Sequence, residues 1–153
     1  MNQILGLTVA TCLVLITVVS TVRCAPSAND ELNTLMLKRH NEVRSQLANC
    51  QVKGQPPPAS MQPLKYDQEL ADLAQQWANQ CKVGHGIPTT SSWGRNVGQN
   101  WAGTQSFQKY TVRCGLTPLQ IVWADTRAIG CAYKQCGANF PYGKSIVCNY
   151  GPA

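Results

Sequence analysis

Six cysteines spread over the last two-thirds of the chain limit its folds more than any other feature: Cys50, Cys81, Cys114, Cys131, Cys136 and Cys148. Two more, Cys12 and Cys24, fall within and just after an N-terminal apolar run. An even set of cysteines in an exported chain implies up to three disulfides, and six allow 15 pairings, so spacing alone does not choose among them. Zinc is the competing use. No C-x-x-C pair is present, and Cys131 and Cys136 stand five apart, so disulfides are the preferred reading.

Export is read from the start of the sequence. Ile4 to Val22 is almost wholly apolar, then Arg23 and the small residues Cys24-Ala25-Pro26-Ser27 follow. This pattern reads as a signal peptide over residues 1–24, cut after Cys24, with the mature domain over 25–153. A membrane anchor is the alternative, since the run is just long enough to span. Thr8, Thr11, Thr17, Ser20 and Thr21 dilute it, and no membrane span is expected after cleavage. Losing Arg23 takes the formal charge from +6 to +5, and the remaining basic residues are scattered. That scatter argues against a nucleic-acid partner. No N-x-S/T sequon occurs.

The periodicity is that of an α+β domain. Ser27-x-x-Asp30 has the form of a capping box. After it, Leu32, Leu35, Met36, His40, Val43 and Leu47 share a helical face, with His40 expected in or near the core. Pro56-Pro57-Pro58 forces a stiff extended connector. Asp67 caps a second helix whose apolar face is Leu70, Leu73, Ala74, Trp77, Ala78 and Cys81, ended by Gly84, Gly86 and Pro88. Thr89–Asn96 reads as loop and Val97–Trp101 as a short buried piece. Ala128–Tyr133 and Ser145–Tyr150 read as strands joined by the turn Gly137–Gly143. Trp77 and Trp123 are expected in the core, Trp93 in a polar loop and Trp101 beside a cleft. Ser91 and Ser92 lie near His85, but no G-x-S-x-G or orienting acid accompanies them, so a nucleophilic enzyme is not expected.

Six stretches in order carry a resemblance: "RHNEVR" (39–44), "LKYDQELADLAQQWANQC" (64–81), "GH" (84–85), "VGQNW" (97–101), "QIVWADTRAIGCAYKQC" (120–136) and "VCNYGPA" (147–153). Together they resemble the CAP superfamily of sperm-coating, antigen 5 and pathogenesis-related proteins, in the manner of venom allergen-like proteins of parasitic worms. The resemblance implies a three-layer α-β-α sandwich, secreted and disulfide-bonded. It implies the pairs Cys81–Cys136 and Cys131–Cys148, and leaves Cys50 and Cys114 for each other.

The family's central cleft holds two His and two Glu that suit a divalent metal. Position by position, this chain keeps His85 and has Gln99 where the first Glu belongs. A central helix between Gly103 and Cys114, which carries the second Glu, is expected to be missing. Thr117 stands at the second His, and Pro118 falls where a helix interior should lie. The family motif also continues past Ala153, so the domain reads as shortened at its C-terminus. The expected function is therefore binding without catalysis, with no cofactor, from the surface or an apolar pocket, and His85, Gln99 and Trp101 are what remains of the cleft. The partners implied are a host or extracellular protein, in immunomodulation, or a sterol or fatty acid. The alternatives are a metal-dependent hydrolase using the cleft, or a non-functional splice or divergent form.

Overall fold

The computed structural model describes residues 25–54, 56, 58–105 and 121–153. Its elements are α1 (Glu31–Ala48), β1 (Lys65–Tyr66), α2 (Gln68–Ala78), β2 (Gly98–Thr104), β3 (Ala128–Gln135) and β4 (Lys144–Gly151). The sheet order is β1-β3-β4-β2, with β1 parallel to β3 and the other pairs antiparallel.

Both faces of the sheet are covered, and strand parity assigns the faces. On one, Leu32 and Met36 of α1 pack with Ile129, Cys131, Ile146, Cys148 and Tyr150. On the other, Ala74 and Ala78 of α2 pack with Ala132 and Val147, flanked by Trp77 and Trp101. The result is the expected α-β-α layering. Small residues let α2 lie close: at Gly130 an added Cβ would sit 2.2 Å from the backbone nitrogen of Ala71. Only glycine fits on β3 beneath the first turn of α2.

The helix starts differ in detail from expectation. Asp30, not Ser27, is the N-cap of α1, accepting from Asn33 N at 2.7 Å while its other oxygen accepts from Ser27 N at 2.8 Å. Asp67 caps α2 as expected, accepting from Leu70 N at 2.9 Å. That helix ends at Ala78, short of the Gly-Gly-Pro stretch, and Cys81 follows in a left-handed conformation (φ 49°). The hairpin strands form and run longer than their apolar cores, and β2 extends to Thr104.

Two polar residues of α1 lie buried where apolar periodicity gives no hint. Asn33 takes both backbone groups of Cys131, at 2.9 and 2.8 Å, extending the ladder where β1 stops. Arg44 is 1% exposed and donates to four carbonyls, those of Gln62, Ile121, Trp123 and Thr126, at 2.7–3.1 Å. Trp123 corrects the sequence reading: it is 49% exposed, because its backbone rather than its ring is what the fold uses.

The disulfides are Cys81–Cys136, from the end of α2 to the residue after β3, and Cys131–Cys148, between registered partners of β3 and β4. Cys50 is a free, exposed thiol just beyond α1. Cys50 sits in a left-handed turn (φ 58°) closing the helix, and Cys114 lies outside the described residues. The expected missing helix, Thr117 and Pro118 also fall in the stretch 106–120, outside the description.

Candidate functional site

The loop after α2 reaches the sheet through two anchors. Trp77 Nε1 donates to Gly84 O at 3.0 Å, and the Trp77 ring lies so close to Gly86 that an added Cβ would meet it at 2.2 Å. Gln99 of β2 clamps the same loop from the sheet. Its Oε1 accepts from Gly86 N at 2.8 Å, and its Nε2 donates to Gly86 O at 3.1 Å and to Asn149 Oδ1 at 2.9 Å. Asn149, opposite Gln99 in register, donates onward to Leu70 O at 3.0 Å. Both amides are buried. The orientation of Gln99 is set by its partners, since Gly86 O only accepts and Gly86 N only donates.

Gln99 is therefore an internal strut that joins the loop, β4 and α2. Its two N–H donors and its carbonyl oxygen are engaged within the protein. His85 precedes the clamped Gly86, yet its own side chain is exposed and hydrogen-bonds to none of the described residues. The structure brings the backbone beside His85 to Gln99 but builds no shared ligand set. Among the described residues no three His, Cys, Asp or Glu side chains converge. A divalent metal of the kind held by two His and two Glu does not fit an amide so engaged beside one solvent-facing imidazole.

Replacing Gln99 with Glu removes both donors and sets carboxylate oxygens against Gly86 O and Asn149 Oδ1. We expect a loss of about 1–3 kcal/mol at pH 7.5. Burial raises a carboxyl pKa, so the deficit grows as pH rises through that value and shrinks toward pH 5, where the acid regains one donor. Denaturant melts of variant and wild type at both pH values check it; an equal deficit at each would contradict the account.

Trp101, three strand positions from the end of β2, is half-buried, and its Nε1 donates to Ser145 Oγ at 2.9 Å. Phe140 and Tyr142 stand edge-on to it, with centroids at 6.4 and 5.9 Å. The Tyr142 ring covers Gly103, where a Cβ would lie 2.2 Å away. Of the three rings Tyr142 is exposed, Trp101 is half-buried and Phe140 is buried. Ser91 and Ser92 serve a different purpose from nucleophilic attack. Their backbone N–H groups and Ser92 Oγ donate to Glu69, and chiefly the Ser91 N–H holds that carboxyl below its usual range. The acid contacts the serines directly, with no imidazole between them.

The sequence reading missed Asn149 and the Trp77–Gly86 contact. The one available sign was Asn149 itself, a polar residue between Val147-Cys148 and Tyr150 in a strand covered on both faces.

A two-helix, four-strand sandwich stapled by two disulfides defines a class of disulfide-bonded α-β-α proteins. The model of the "CAP: Cysteine-rich secretory protein family" matches residues 37–150, and the chain belongs to this family. Venom allergen 5 of Vespa magnifica is 35% identical over 147 residues, which cover 77% of this chain and 65% of the wasp protein. The chain thus spans just under two-thirds of that relative. The venom allergen-like protein 4 of Schistosoma mansoni superposes with a TM-score of 0.69 at 28% identity, covering 80% of this chain and 89% of its own. The structure of NaASP2 with Zn2+ shares the fold with a TM-score of 0.65 at 24% identity, over 86% of this chain and 83% of that one.

Proposed function

We propose that this is a secreted CAP protein that acts by binding and not by catalysis. Its partner is an extracellular host protein, with a sterol or fatty acid as the second ligand class. The observation that carries the reading is Gln99, whose amide is engaged internally at the position where the family's cleft has an acid. Related venom allergens of wasps and a worm support an extracellular setting. No helix among the described residues is long and apolar enough to cross a membrane. The partly exposed rings of Trp101 and Tyr142 support the lipid class, because flat apolar rings bury area against such ligands at little entropic cost.

Calorimetry tests the reading. Zinc injected into the oxidised protein should give only heats of dilution. Stoichiometric zinc binding that disappears in His85→Ala would restore the metal-dependent hydrolase as the better account.

A further inference from the structure

Among the described residues the two most exposed large apolar side chains are Val83 and Ile87, at 60% and 61%. Both stand on the loop after α2, and neither joins a core cluster of the described residues. The loop alternates: Gly84, Gly86 and Pro88 are partly buried, while Val83, His85 and Ile87 are exposed. The inward residues are pinned from beneath. Trp77 donates to Gly84 O and lies over Gly86, and Gln99 takes both backbone groups of Gly86. The outward residues thus form a ridge on a fixed backbone.

The ridge continues into aromatic side chains along β2. Gln99, Trp101 and Gly103 point to one face of that strand, at a spacing of about 7 Å from one to the next. Gly86 is held by the first and the Tyr142 ring covers the third. The half-buried Trp101 lies between, its ring 5.9 Å from that of Tyr142. The Cys81–Cys136 bond, with Cα atoms 5.8 Å apart, adds two cations at this end. Lys82 follows one cysteine and Lys134 stands two residues before the other, and both are exposed. Lys134 shares a strand face with Ala132, which packs on α2. Acids are absent from the segments that build this face. Six of the chain's seven lie between Asp30 and Asp72, and the seventh is Asp125.

We propose that this face docks on an anionic lipid bilayer. Val83 and Ile87 enter the boundary between headgroups and acyl chains, as the apolar side of an interfacial segment does. Tyr142 and Trp101 lie at headgroup level, where amphipathic rings are favoured. Lys82 and Lys134 meet the negative surface. Charge and shape together select this occupant: a pinned, outstanding aliphatic ridge needs no matching pocket in a plane of lipid, and lysines without neighbouring acids in the same segments complement its charge. The inference goes beyond the proposed function, whose ligands are a protein and a single lipid molecule.

Sedimentation of the oxidised protein with vesicles tests it, using phosphatidylcholine alone and phosphatidylcholine with about one-third phosphatidylserine. The protein should partition onto the mixed vesicles, far less onto the neutral ones, and less again at about 0.5 M salt. Val83→Ser and Ile87→Ser should each weaken partition about tenfold. Lys82→Gln and Lys134→Gln should each weaken it about fivefold on the mixed vesicles alone. All four side chains are exposed, so thermal melts of the variants should match the wild type. No partition onto the mixed vesicles, or partition that both serine variants leave unchanged, overturns the inference. Equal partition onto neutral and mixed vesicles overturns it too. Retention on heparin that only the lysine variants lose, without vesicle partition, would give the face to a soluble polyanion instead. Fatty-acid or protein binding without vesicle partition would overturn this inference and leave the proposed function standing.

Discussion

Replacing Arg44 with methionine is expected to cost about 3–5 kcal/mol, the range for removing one side of a buried charged network. The guanidinium spends its donors on Gln62, Ile121, Trp123 and Thr126 carbonyls, which belong to two segments far apart in the chain. No carboxylate takes part; the one ion pair among the described residues is the exposed Arg39–Glu42. Methionine fills much of the volume but leaves those carbonyls without a donor, each at a desolvation cost of about 1–3 kcal/mol before water re-enters. Such a loss takes up a large part of a domain stability of about 5–15 kcal/mol. Arg44→Lys keeps the charge but lacks the planar fork, so it should fall between. Urea melts at pH 7 measure both variants, and limited proteolysis should show new cutting near Arg127 in the methionine variant. A loss under about 1 kcal/mol in Arg44→Met would mean that the carbonyls find water as readily as they find the guanidinium.

Acid should also destabilise the protein well above the range where carboxylates titrate, through His40. The ring is 3% exposed. Its Nδ1 lies 2.7 Å from Met36 O, so Nδ1 carries the proton, and Nε2 accepts from Tyr150 OH at 2.9 Å. Asn100 Nδ2 donates to the same hydroxyl at 3.0 Å. Protonating Nε2 would aim a second donor at an oxygen whose own hydrogen then loses its acceptor. Burial, followed by the nearby Arg44 charge, lowers the pKa from 6.5 to about 4 against the opposing Met36 bond. The unfolded chain therefore binds this proton first. The contribution is fully present above pH 6.5 and is lost as pH falls from there toward about 4. The loss amounts to roughly 3 kcal/mol, from 1.36 kcal/mol per pKa unit. Stability measured by urea melts between pH 7.5 and 4.2 should decline over this window in the wild type and stay nearly flat in His40→Gln. A wild-type curve flat to pH 4.5 would show that the ring is protonated in the folded state.

Neither Arg44 nor His40 was legible in its role from the sequence, and the reason is the same for both. Helical spacing places His40 on an apolar face and so predicts its burial. It says nothing of Tyr150 and Asn100, which arrive from β4 and β2, far along the chain. Arg44 lies off the apolar positions, and its burial depends on carbonyls that loops deliver from far along the chain. The strand β1 was hidden because two residues carry no period. The helix α2 and the hairpin strands were visible because each is long enough for its alternation or its 3.6-residue repeat to show.

The family, the two helices, the β3–β4 hairpin and the neutral residue at position 99 were all legible in the chain's residues. Each of these follows from residue identity, local spacing or ordered motifs. It took the folded molecule to make Gln99 a strut between Gly86 and Asn149, to turn His85 to solvent, and to have Trp123 lend its backbone while its ring is exposed. The physical reason is that an apolar side chain has only to leave water, which a local pattern records. A buried polar group has to find a particular partner, and that partner is supplied by the fold.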